Sequence, residues 1–458
     1  MKPPSDLEIY LRDKSDAGSV VDTEQAFSIS KQRALEKLAT FQLPFEGAWA
    51  LKMVQSAVAS KSVERLIIQL EVKAGLFHFH GRVDFTQDEL ERAFLDPEYS
   101  ERKELLHLVT ALRVVGISQK QPFWVTFKDR AEALVWNGKE LARAPRSSQP
   151  ADSLSDAEEA FLKVRVSNFP ITEERGFFGF GTAPKAAARN AALTKVLSNF
   201  AHTSPIPLTL DGRRLDALEH DFRHGWSDQS QLLMLCFREA DLPELGLPPF
   251  TGSTLTNPEI AIDEYLAIAS QELRQVHRER NRFTLAFLLS AHLKKVESGR
   301  SFVWSDSADI SLCNWVHDGV IISREELGTS AHFCSVGCYL SAQDLRTDLS
   351  GFSLAESEAK RERLRQAKSL VASGLEEAAR LDFEKMRRSI KEYERSNAAF
   401  MLVFGALGFV VNPFAGLALA GVGLWGLFSR GGNGQSRGHQ IAESITRLKE
   451  DLSRPSER

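Results

Sequence analysis

Leu76-Phe77-His78-Phe79-His80-Gly81-Arg82-Val83-Asp84-Phe85-Thr86-Gln87-Asp88-Glu89-Leu90 changes pattern midway, and that change decides how the front of the chain folds. Residues 76–80 are an apolar, aromatic run of strand length. Thr86 to Glu89 has capping-box form: a Thr side chain that can take an amide of the next turn, and a Glu that can reach back. It opens a helix through Phe94. Upstream, 63–70 is a second strand-length run, and 46–59 is a helix burying Trp49, Met53, Val54 and Ala57. An earlier helix starts near the cap Ser30, with Ala34, Leu35 and Leu38 on one face. Downstream come a helix over 103–115 and strands over 123–127 and 133–136, closed by a turn at Asn137-Gly138.

Residues 143–155 break the composition with Pro145, Ser147, Ser148, Pro150 and Ser153, as a linker does. A strand over 162–166, a helix over 184–200 and a strand into a tight turn over 207–213 follow. A Pro/Gly-rich loop spans 243–258, one or two helices are expected over 260–296, and strands resume over 302–340. From 354 to 397 charge density rises and no proline occurs. Leu364, Ala367, Val371, Ala378, Leu381, Met386, Ile390 and Tyr393 fall at three-four spacing, so a long amphipathic helix or coiled coil is expected there. The expected fold is α+β. Its parts are a tail (1–22), a sandwich domain (23–142), a linker (143–158), a second α+β domain (159–352), the long helix (353–397), an apolar hairpin (398–429) and a Gly-rich break with a terminal helix (430–458).

At 458 residues the chain suits about three domains. Lys+Arg 57 against Asp+Glu 61 leaves a net charge of −4, without the basic excess of a dedicated nucleic-acid binder. Four cysteines are too few for a disulfide scaffold and fit a reducing cytoplasm. The first residues, Met1 to Asp16, hold no apolar h-region, so no cleavable secretory signal is expected.

The order helix, helix, strand, strand, helix, helix, strand, strand over 27–138 resembles the GHKL, or Bergerat, ATP-binding fold, most nearly the ninety-kilodalton heat-shock chaperone type. In that type a helix reading E-L-x-x-N-x-x-D-A-G precedes the first sheet strand; here it reads Leu51-Lys-Met-Val-Gln-Ser-Ala-Val-Ala-Ser. The chaperone's D-x-G-x-G loop with T-x-x-x-L is similar to His80-Gly-Arg-Val-Asp-Phe-Thr-Gln-Asp-Glu-Leu. The resemblance implies a nucleotide site, and the departures bear on it. The family's water-polarising Glu aligns with Leu51, its Mg²⁺-holding Asn with Gln55, and its adenine-reading Asp with His80. Two glycines that admit phosphates align with Arg82 and Asp84, whose side chains obstruct that approach. Gln55, His80 and Asp84 are therefore degenerate nucleotide-site positions. Hydrolysis needs metal and activated water together, so neither ATPase activity nor an ATP/Mg cofactor is expected. The second block resembles the transducer domain that follows the nucleotide domain in this superfamily, with Lys185 and Lys195 as alternatives for its phosphate-touching lysine.

Other constellations have plainer readings. His78 and His80 share a strand face as in H-x-H metal sites, but no third ligand is marked nearby. Cys313, His332, Cys334 and Cys338 lack the paired knuckles of a zinc finger and read as buried thiols. Gly176 to Thr182 is a glycine-rich turn without a dinucleotide or P-loop pattern. Gln275 to Arg282 is a basic helical face that reads as solvated surface rather than a nucleic-acid patch.

The strongest functional signal is 398–428, about 31 residues without a charge. Phe400, Leu402, Phe404, Phe409, Phe414, Leu419, Trp425 and Phe428 give it bulk, and Asn412-Pro413 splits it into runs of about 14 and 15 residues. Each run is roughly 21–23 Å as a helix, short of the roughly 30 Å hydrocarbon core. One kinked span or a re-entrant hairpin both follow. Lys385, Arg387, Arg388, Lys391 and Arg395 before it, and Arg430 and Arg437 after it, favour both ends in the cytoplasm. The expectation is a non-enzymatic, membrane-targeting protein: a cytoplasmic body at the inner membrane, lipid and further copies of itself as partners, and a protein encoded nearby as another. Membrane disruption in antiviral defence fits that architecture. The alternative is a membrane-anchored, nucleotide-responsive chaperone with weak ATP binding.

Overall fold

The computed structural model of the chain describes residues 43–71, 74–96, 99, 101–148, 160–167, 185–216, 218, 228–238, 240–248, 283–295, 302–304, 310–329, 334–378 and 437–454. The front of the chain builds α1 (Ala48–Ala59), β1 (Val63–Leu70), β2 (Ala74–Gly81), α2 (Gln87–Leu95) and α3 (Lys103–Arg113). A π-turn over Val114–Ser118 leads into β3 (Phe123–Phe127), β4 (Glu132–Trp136) and β5 (Leu141–Pro145). The capping box forms: Thr86 Oγ1 accepts the Glu89 amide at 3.3 Å and Glu89 Oε2 accepts the Thr86 amide at 2.7 Å. At the other end of α2, the buried Arg113 guanidinium donates to the carbonyls of Phe94 at 3.1 Å and Ala93 at 2.5 Å. Helix-end carbonyls that would otherwise be buried unpaired are thus satisfied.

Beyond 160 come β6 (Leu162–Ser167), α4 (Lys185–Phe200), β7 (Leu208–Leu210) and β8 (Arg213–Arg214). The first sheet runs β5-β4-β3-β6-β2-β1-β7-β8, antiparallel except for the β1–β7 pair. α1 and α2 pack on one face of it, Trp49 edge-on to Phe77 at 5.5 Å and Phe94 to Phe123 at 5.7 Å. The inward rows of the central strands, such as Leu66 and Ile68 of β1 or Phe77 and Phe79 of β2, are fully buried. A boundary at 143–158 does not divide the sheets. β6 lies between β2 and β3, and β7 extends the sheet beyond β1, so the first sheet draws on both sides of that stretch.

The second sheet contains β9 (Asp228–Arg238), β10 (Leu285–Lys295), β11 (Phe302–Trp304), β12 (Leu312–His317), β13 (Val320–Glu326) and β14 (Cys334–Ser341). Its order is β11-β10-β14-β12-β13, with β9 on the free side of β10 and only β12–β14 parallel. The helices expected over 260–296 are corrected here for 285–295: that stretch is the central strand β10, hydrogen-bonded to both β9 and β14. Leu285 to Leu289 are all buried, so the run has no polar phase, and periodicity alone cannot separate a two-sided strand from a buried helix. Residues 260–282 lie outside the described residues, as do the Ser30 helix, 176–182 and His332.

α5 (Glu358–Ala378) and α6 (Arg437–Ser453) then dock on the second sheet and on each other. Ala367 and Val371 of the expected stripe are buried, with Leu375 beside them, as are Ile445, Leu448 and Leu452 of α6. Lys449 reaches Glu376 at 3.0 Å, and Ser444 Oγ accepts the Cys334 amide at 2.9 Å. No helix among the described residues is long and apolar enough to cross a membrane. The apolar stretch 398–428, with Phe400 through Phe428, and the rear of the expected long helix lie outside the described residues.

Candidate functional site

The two sheets meet where the β12–β13 hairpin presses against α1 and α3. Its two-residue turn, Asp318-Gly319, has φ of +47° and +73°, the backbone of a type I′ turn. A Cβ on Gly319 would sit 2.8 Å from Pro205 Cδ and 2.9 Å from Val58 Cγ2, so only glycine lets the turn approach this closely. Thr203 Oγ1 fixes the turn by donating to the Gly319 carbonyl at 3.0 Å.

α1 is buried from Ala48 through Ala57, so its polar residues are forced into this seam. Ser56 Oγ donates to the Glu104 carbonyl at 2.7 Å. Gln55 Nε2 donates to the His317 carbonyl at 3.1 Å, while its buried Oε1 accepts no hydrogen bond from the described residues. Lys52, 4% exposed, lays its ammonium 4.6 Å from the centre of the Phe352 ring. Burial pushes that amine down to about 8, against the pull of Asp318 and Asp348.

Beside these lies a His–Asp–His cluster. His107 Nε2 from α3 is 3.0 Å from Asp318 Oδ2, and His317 Nδ1 is 3.1 Å from the same oxygen. Burial alone would raise the Asp318 carboxyl, but the two imidazole hydrogen bonds overturn it and hold the group well below the usual carboxylate range. Burial drives the His107 imidazole down to about 4, despite Asp318, so the ring is neutral at pH 7. A neutral imidazole beside a fixed carboxylate can hold a proton or ligate a metal. Asp318 also lines a cleft of about 410 Å³, together with Lys61, Lys103, Glu104 and Gln343.

Of the residues singled out in the sequence, Gln55 reaches this seam. His80 is buried on β2, with its Nδ1 3.4 Å from Arg65 Nη2, and His78 is buried on the same strand. Asp84 accepts from Ser62 Oγ at 3.1 Å and lines a separate cavity of about 370 Å³ with Arg82, Asp129 and Arg130. Gln55 and His80 border neither cavity. Leu51 is fully buried in the core. Gly81 has φ of +89°, and a Cβ there would lie 2.3 Å from the Ser62 carbonyl, so strand pairing accounts for it. Cys313, Cys334 and Cys338 are buried free thiols in paired strands, and burial pushes the Cys334 thiol up to about 12. Lys52, His107, His317 and Asp318 were not singled out. His107 and Asp318 stand 211 positions apart, and the available signal was the Asp-Gly turn between two apolar runs.

Fold and site together define a mixed α+β protein whose two largely antiparallel sheets are joined through a half-buried His–Asp–His seam. No protein-family model matches the chain, and no curated protein matches it. Solved structures similar to it include the B subunit of DNA gyrase from Myxococcus xanthus, at 10% identity and a TM-score of 0.38, over 72% of this chain and 88% of that one. A point mutant of the MutL ATPase domain of Aquifex aeolicus is similar at 11% identity and a TM-score of 0.29, covering 70% and 97%. The ATPase domain of the mismatch repair endonuclease MutL from Aquifex aeolicus gives 10% and 0.30, covering 69% and 96%. At these scores the likeness is too loose to assign this chain a fold family or an activity.

Proposed function

We propose that this chain is a non-enzymatic, membrane-targeting protein, with a body resembling a degenerate GHKL domain of the chaperone type and a transducer-like second unit. Its apolar stretch inserts into the inner membrane, it works as a self-associated assembly, and membrane disruption in defence is its role. The observation that carries this reading is the charge-free run 398–428 with basic residues on both sides. The order α1, β1, β2, α2, α3, β3, β4 supports the body's resemblance. Gly81 spent on strand pairing, Arg82 and Asp84 in place of glycine, and Leu51 buried in the core support a body without turnover.

The docking of α5 and α6 bears on geometry. The chain leaves α5 at Ala378 and returns at Arg437, and both helices pack on the second sheet and on each other. A single crossing would separate them across the bilayer. A hairpin with both ends on the cytoplasmic side keeps that packing and is the geometry proposed. A charge at the centre of a lipid-exposed helix costs about 2.5–3.5 kcal/mol on insertion scales. Phe404→Asp and Leu419→Asp are therefore expected to shift the full chain from the membrane to the soluble fraction in lipid flotation. Wild-type protein that stays at the bottom of the gradient, monodisperse without detergent, would overturn the reading.

A second reading, a membrane-anchored chaperone with weak ATP binding, is favoured by one observation: Gln55, at the Mg²⁺-holding position of the resemblance, keeps a buried carbonyl oxygen without a hydrogen bond from the described residues. Isothermal titration with Mg-ATP separates the two. Micromolar binding with phosphate release would favour the second.

A further inference from the structure

We propose that the seam between the two sheets is a divalent transition-metal site of the zinc class, with His107 Nε2, His317 Nδ1 and Asp318 Oδ2 as its ligands. These three atoms lie within 4.8 Å of one another. A tetrahedral centre with bonds of about 2.0–2.1 Å sets neighbouring ligand atoms about 3.3 Å apart. The two distances to Asp318 Oδ2, 3.0 and 3.1 Å, already stand within a few tenths of an ångström of that edge. The two imidazole nitrogens lie within 4.8 Å of each other.

The frame around the cluster is stiff. His107 projects from α3, His317 ends β12, and Asp318 occupies the I′ turn that Gly319 and Thr203 hold against α1. Two imidazoles and one carboxylate suit zinc, cobalt or nickel better than the all-oxygen preferences of magnesium or calcium.

Two further observations point to a ligand. Gln55, whose side-chain amide is tied to the His317 carbonyl, has a fully buried Oε1 with no hydrogen bond from the described residues. Asp318 also borders the cleft shared with Glu104 and Gln343, which gives an entry path and room for a water in a fourth position. A metal here would tie α3 of the first layer to the hairpin of the second sheet. This inference does not depend on membrane insertion.

The test uses the full chain, stripped with EDTA and then titrated with Zn²⁺ and with Co²⁺. Mass-spectrometric metal analysis is expected to give one zinc per chain, and cobalt is expected to show the intense visible bands of a four-coordinate site. His107→Gln and the near-isosteric Asp318→Asn are each expected to weaken Zn²⁺ binding by more than the roughly 10–100-fold typical of losing an outer partner of a ligand. Zinc should raise the melting temperature of the wild type and leave that of Asp318→Asn unchanged, a comparison that remains informative if His107→Gln folds poorly. Failure of the wild type to bind zinc against a micromolar chelator would overturn the proposal. So would full-affinity binding retained by both variants.

Discussion

Replacing Lys52 with methionine is expected to stabilise the protein at neutral pH, although it deletes a buried charge that faces two carboxylates. The lysine is 4% exposed, and its amine falls from 10.5 to about 8 because burial outweighs the attraction of Asp318 and Asp348. At about 1.4 kcal/mol per unit, holding the ammonium in the seam costs about 3 kcal/mol relative to the unfolded chain. The sign follows from proton counts. Below pH 8 both states are protonated and the whole cost is present. Between about 8 and 10.5 the folded state has lost the proton that the unfolded state still holds, so stability rises with pH across that window. Methionine keeps the length of the side chain and removes the charge, and it also removes the cation–π contact with Phe352 at 4.6 Å. The expected gain at pH 7 is about 1–3 kcal/mol, shrinking towards zero by pH 10. Urea unfolding of wild type and Lys52→Met at pH 7, 8.5 and 10 reads it, and taking the difference cancels every other group that titrates there. A variant less stable than wild type at pH 7, or a difference that does not change with pH, would refute the reasoning.

Three other perturbations test the packing. Gly319→Ala places a methyl group within 3 Å of Pro205 and Val58 at a φ of +73° and is expected to cost about 2–4 kcal/mol, read as a lowered melting temperature. Arg113→Met leaves the Ala93 and Phe94 carbonyls without their guanidinium donor and should cost about 2–3 kcal/mol in urea unfolding; an unchanged midpoint would mean that water replaces the donor. Leu448→Asp puts a charge at a fully buried position of α6 and is expected to undock that helix, so that limited proteolysis removes it while the two sheets stay intact. A cleavage pattern identical to wild type would contradict that.

Local chemistry was legible where one segment carries its own instructions. Thr86 and Glu89 announce α2, Asn137-Gly138 announces the β4 turn, and the alternation at 162–166 announces β6. What the chain does not write locally is where each strand goes. Nothing in Leu162 to Ser167 says that it will part β2 from β3, because the pairing is decided by the fit of Val164 and Val166 to a core assembled from residues far earlier. β5 was missed because Leu141 to Pro145 is half exposed at a sheet edge and has no apolar phase. β10 was misread for the opposite reason, being apolar on both sides. The seam was invisible for a third reason: His107 and His317 are ordinary histidines until the Asp318-Gly319 turn lays them together.

The late arrival of β6 has a consequence for synthesis on the ribosome. Until residues 162–167 emerge, the finished pieces are the β1–β2 pair and the β3–β4–β5 meander, each with an open row of amides and carbonyls where the missing strand belongs. A chain released from the ribosome at residue 148 would expose two sticky half-sheets, with Phe77, Phe79, Phe123 and Val125 beside those open rows. Nascent-chain complexes released at that length are expected to need a holdase to stay soluble, whereas those released past residue 216 can close the whole first sheet.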